Sequence, residues 1–62
     1  MATPEDFEAL GAVMWAIGRA LPDEAKESIA ADLSNVADVA ASKGRSSYAE
    51  RLRFLAASVR RG

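Results

Sequence analysis

Apolar residues recur along this chain at helical intervals, in three blocks separated by breakers. Phe7, Leu10, Met14, Ile17 and Leu21 follow one another at steps of three and four and so share one stripe of a helix. Ala25, Ile29, Leu33, Val36 and Ala40 form a second such stripe, and Tyr48, Leu52, Leu55 and Val59 a third. End signals frame each block. Thr3 is a good N-cap, Pro4 suits the first helical position, and Glu5 and Asp6 favour the positive end of the helix dipole. Pro22 disfavours helical backbone at Leu21 and stops the first helix. Lys43-Gly44 ends the second, with glycine free to take the left-handed cap. Ser47-Tyr48-Ala49-Glu50 matches a capping box, and Arg60 and Arg61 suit the negative end of the last helix. The pattern predicts three helices, about 4–20, 23–42 and 48–60, in one all-α domain over 1–62. The short connections predict antiparallel neighbours in a helical bundle.

The first block is more apolar than one stripe requires. Between Ala9 and Leu21 the only charge is Arg19. Gly11, Trp15 and Gly18 make a second stripe beside the first, and Ala9, Val13, Ala16 and Ala20 a third. A helix apolar nearly all round is normally covered on most sides, and two further helices are short measure for that. The expectation is a homodimer paired through helix 1. Gly11 and Gly18 would admit a neighbouring helix closely, and Trp15 would anchor the contact. Phe54 falls off the inner stripe of helix 3 beside Arg51, a composition suited to a contact patch with a further protein partner.

Size strengthens the case for association. A 62-residue chain buries only about 60% of its unfolded surface, and such domains rely on disulfides, a metal or oligomerisation. Cysteine and histidine are both absent, so disulfides and the common zinc sites are excluded. The length is that of many small bacterial and phage accessory proteins. No positive segment precedes the apolar run, which at 13 residues is also too short to span a bilayer. The sequence therefore reads as cytoplasmic, without a membrane partner.

Charge is balanced overall, at −1, but unevenly placed. Residues 1–42 hold eight acids against Arg19 and Lys26, whereas residues 43–62 hold six bases against Glu50. Two segments that attract each other account for this without an outside partner. Enzymatic chemistry has little to work with. Without histidine or cysteine, the serines, Tyr48 and the lysines lack the usual base or thiolate, and the carboxylates cluster at helix starts, where dipole effects account for them. No catalytic residue, metal ligand or cofactor is expected.

One nucleic-acid reading competes. Val39-Ala40, Gly44 and Ser46 follow the spacing VAxxxGxS, which resembles repressor-type helix-turn-helix modules over about eight residues. The resemblance implies that helices 2 and 3 bind DNA, with Arg45, Arg51 and Arg53 as contacts. The chain departs from that pattern at Arg45, where a small apolar residue is expected, and at Glu50, where an apolar one is. The acidic first two-thirds would also repel phosphate. Non-catalytic protein interaction is thus the favoured reading, and DNA binding the alternative.

Overall fold

The computed structural model describes residues 3–62, so the first two positions of the expected domain lie outside the described residues. It is all-helical: α1 spans Pro4–Ala20, α2 Asp23–Ser42 and α3 Ser46–Arg61. The first two ranges agree with the pattern, and the local chemistry is as read. Thr3 Oγ1 accepts from the Asp6 amide at 3.2 Å while the Asp6 carboxylate accepts from the Thr3 amide, a reciprocal cap. Leu21 is extended (φ −106°, ψ 149°) ahead of Pro22, which opens α2 without a side-chain cap.

The α2–α3 turn is a Schellman motif. Gly44 takes φ +80°, its amide donates to the Ala41 carbonyl, and the Arg45 amide donates back to Ala40 at 2.9 Å. This return leaves Arg45 at the cap of α3, so the helix starts at Ser46, two residues earlier than expected. Ser47 is then already helical, and the Ser47–Glu50 capping box does not form; Arg45 caps without a side-chain bond.

Packing departs further from the expectation. α3 lies in the middle, with α2 on one flank and α1 on the other, and α1 and α2 scarcely touch. The helices pack through small residues. Ala30 and Ala37 of α2 meet Ala49, Ala56 and Val59 of α3, and all five are essentially sealed from solvent. Pairings run from Glu27–Arg60 at one end to Asp38–Arg53 at the other, so α2 and α3 are antiparallel along most of their length. On the other flank Phe7 stacks on Phe54, Gly11 lies under Phe54, and Gly18 abuts the Val59 backbone, so α1 runs parallel to α3. The short link at Leu21–Pro22 therefore joins helices that diverge to opposite sides of α3 rather than packing on each other.

The result is an open bundle close to a single layer, 33 × 25 × 13 Å. Three helices side by side at 8–10 Å separations account for the middle dimension. The openness shows in the surface: 4361 Å² is accessible, against about 3,900 Å² for a compact chain of this mass. The radius of gyration, 11.7 Å, likewise exceeds the roughly 10.6 Å of a compact domain this long.

Candidate functional site

Which residues lie on each side of the layer follows from the helical period and the contacts. Ala49 and Ala56 of α3 face α2, and Phe54 and Ser58 face α1. At 100° per residue, Tyr48, Leu52, Leu55 and Val59 fall between these two directions on one side, and Arg53, Ala57 and Arg60 on the other. The same argument places Ile29, Leu33 and Val36 of α2, and Leu10, Met14, Ile17 and Leu21 of α1, on the Leu55 side. Met14, Ile29 and Leu33 converge on the Ala30–Ala56–Val59 cluster, which ties both flanking helices to that side. The two directions from α3 lie about 170–190° apart, so the three helices sit nearly side by side and the Leu55 side is one broad apolar face.

That face carries the large apolar side chains of all three stripes, yet almost none of them is sealed. Among the described residues the buried set is alanine, Ser58, Val59 and the glycines Gly11 and Gly18; Val59 is the largest fully buried side chain. Leu10 is 52% exposed, Ile17 42% and Val36 48%. The apolar stripes that the sequence places inside thus line an open face. The expectation that α1 is covered by its own chain only in part holds, and its cause is the flanking position of α1.

The opposite face is polar. Arg60 Nε donates to Glu27 Oε2 at 3.2 Å, and Arg53 to Asp38 Oδ1 at 3.0 Å, linking the basic third helix to acidic α2. This is the attraction between segments that the charge distribution predicts. Trp15 lies towards this side, 43% exposed, with the Arg19 guanidinium 4.9 Å from its ring.

The residues proposed from sequence as contacts, Gly11, Trp15 and Gly18 for the dimer and Phe54 with Arg51 for a further partner, are placed differently from that expectation. Gly11 and Gly18 are buried against α3, so the close approach they permit is used within the chain and not between chains. The two glycines beside Trp15 are therefore not open to a second helix. Phe54 fills the gap between α1 and α3, and Arg51 lies 5.6 Å from the Phe7 ring, beside an open cavity of about 200 Å³ lined by Thr3, Pro4, Phe7 and Arg51. The side chains missed as surface are Leu10, Val13, Ile17 and Val36. Their apolar character and helical spacing read equally well as core.

α2 and α3 depart from the geometry of a helix-turn-helix motif. The helices of such a motif cross at about 90–120°, whereas α2 and α3 pair antiparallel. Arg51 and Arg53, two residues apart, point about 200° apart around α3: one towards Phe7, the other to Asp38. Arg45 stacks on Tyr48 at 4.3 Å. No metal-binding cluster occurs among the described residues, and no described helix is long and apolar enough to cross a membrane.

No family model, curated protein or solved structure matches the chain. The functional reading therefore rests on the open apolar face.

Proposed function

We propose that this chain is a non-catalytic interaction module that acts as a homodimer, completing its helical bundle with a second copy. The observation that supports this most is the division of side chains: alanine and glycine in the contacts within the chain, large aliphatics on one open face. An interface with that composition resembles a domain core cut in half, the mark of obligate dimers. A twofold pair covers such a face with no further component, since one surface serves both chains.

The magnitudes are adequate. Leu10, Val13, Ile17, Val36 and Tyr48 are each 41–52% exposed, so covering each is worth about 0.7–1.5 kcal/mol. Over two chains this reaches roughly 7–15 kcal/mol, against an association cost of about 4–15 kcal/mol. Covering α1 alone would supply little more than half of that, so the interface extends over α2 and α3 as well. The outside of the pair keeps Trp15, Phe54 and Arg51 open to a partner protein.

Sedimentation equilibrium tests the reading. Wild-type chain sediments at twice its 6.6 kDa mass at micromolar concentration, and Ile17→Glu shifts it to the single-chain mass or, by circular dichroism, unfolds it. Wild-type protein that stays helical and single at high concentration refutes the homodimer.

A further inference from the structure

We infer that the two copies meet as flat layers stacked face to face, each helix lying on its own counterpart and running against it. The twofold axis crosses the face at Leu10, Leu55 and Leu33. This rests on the homodimer reading and specifies how the two copies meet.

Three observations point to it. The first is shape and extent. α1 and α2 leave α3 in nearly opposite directions, and large side chains on all three helices are open to a similar degree. Tyr48 on central α3 is 41% exposed, Ile17 on α1 42% and Val36 on α2 48%. With neither a ridge nor a groove to match, flat meets flat. A layer measuring 33 × 25 Å presents about 800 Å² to a partner, the area that each side of a standard stable interface contributes. Contact through α1 alone would cover only a fraction of it.

The second is level. Gly11 lies under Phe54, and Leu33 packs on the Ala30–Ala56–Val59 cluster. Leu10 and Leu33 therefore flank Leu55 at about the same height, near the middle of the layer, and all three point to the Leu55 side. A twofold axis lying in the face can run through one leucine of each helix, so that each packs on its counterpart.

The third is charge, which decides between the two ways of stacking such layers. Turning one copy about an axis along α3 would lay α3 parallel on α3, and α1 on the partner's α2. Arg45, held over the face by its stacking on Tyr48 at 4.3 Å, would then lie at the same end as the partner's Arg45, with two positive helix starts together. Turning the copy about the leucine line reverses every helix on its counterpart. Arg45 and the Tyr48 hydroxyl then reach the carbonyl end of the partner's α3, which favours a cation and offers the hydroxyl acceptors. Asp23 and Glu24 at the start of α2 come over Lys43 at the end of the partner's α2. Between Ala9 and Ala20 the one charge, Arg19, lies on the Trp15 side, so α1 enters the interface without burying an ion, which would be costly.

The absence of native cysteine allows a direct test by disulfide mapping. Leu10→Cys, Leu33→Cys and an exposed control, Asn35→Cys, are each oxidised alone, and Leu10→Cys is also equilibrated with Leu33→Cys before oxidation. Circular dichroism checks each chain. The two leucines lie on different helices, so either variant reads the axis by itself if the other folds poorly. A disulfide requires Cα atoms within about 7 Å, which facing residues of helices packed about 8–10 Å apart satisfy. The stack predicts that Leu10→Cys and Leu33→Cys each cross-link with themselves at least tenfold faster than Asn35→Cys, and faster than with each other. A disulfide between the Leu10→Cys and Leu33→Cys chains that outpaces both self-linked products places α1 on the partner's α2. That result overturns the arrangement while leaving the homodimer intact, as does self-linking no faster than the control in chains that sediment as dimers. A wild-type chain that sediments singly overturns the dimer and this inference together.

Discussion

The two glycines of α1 give the sharpest test of how that helix is held. In a helix interior, Gly→Ala is ordinarily favourable by about 0.8–1 kcal/mol, so without tertiary contacts both substitutions would stabilise the chain. At Gly18 the added methyl would overlap the carbonyl oxygen of Val59 and lie within 3.0 Å of its carbonyl carbon and 3.2 Å of its Cα. These are backbone atoms of a neighbouring helix and have no rotamer to change, so α1 must move away from α3. Overpacking of this kind costs about 1–3 kcal/mol, and a backbone obstacle belongs at the upper end. At Gly11 the methyl would come 2.8 Å from Cε2 of Phe54, the far end of a side chain that is itself 41% exposed. The ring can swing aside, with part of its stacking on Phe7 lost, about 0.5–1.5 kcal/mol. Gly11→Ala is therefore close to neutral, and Gly18→Ala is net destabilising by about 2 kcal/mol. In a domain this small 1 kcal/mol moves Tm by about 4–8 °C, so Gly18→Ala lowers it by about 8–16 °C. Thermal melts followed at 222 nm, at one fixed chain concentration because pairing feeds into Tm, measure both. A Gly18→Ala protein with a raised Tm would refute the close contact of α1 with Val59.

Other expectations follow from single contacts. Gly44→Ala places a methyl in open space but forces an L-residue to φ +80°, so the loss is one of backbone strain, about 1–2 kcal/mol; urea denaturation at matched concentration checks it. Arg53→Ala and Arg60→Ala remove exposed ion pairs to Asp38 and Glu27, each worth at most about 1 kcal/mol. Their effect on Tm shrinks further in 1 M salt, and a loss that persists at high salt would point to packing of the arginine stems instead. Duplex DNA titrated at low ionic strength should show no salt-dependent binding at micromolar chain. A gel shift that weakens steeply with salt and vanishes on Arg51→Ala and Arg53→Ala would restore the nucleic-acid reading.

Pattern and capping chemistry determine most of the secondary structure here. Helix ends depend on a few adjacent residues, and Thr3, Pro22 and Gly44 act through their own backbone geometry whatever lies beyond them. The apolar excess of helix 1 is legible for the same reason, as a property of composition along one element. Periodicity identifies an apolar stripe, but not what covers it. Leu10, Ile17 and Val36 carry the same signal as Val59, and only the placement of α3 between α1 and α2 makes the former surface and the latter core. Gly11 and Gly18 likewise announce a close helix contact without saying whose. The chain topology resolves that in favour of α3, because α1 has just one neighbour within the chain and meets it through its smallest residues. The Ser47–Glu50 cap is the exception among the local signals: the six-residue return from Ala40 to Arg45, closed at Gly44, starts α3 at Ser46, so Ser47 is already helical. Local interactions are complete within a few residues and can be read there. The identity of a face depends on the direction from which its neighbours arrive, and that direction belongs to the tertiary structure.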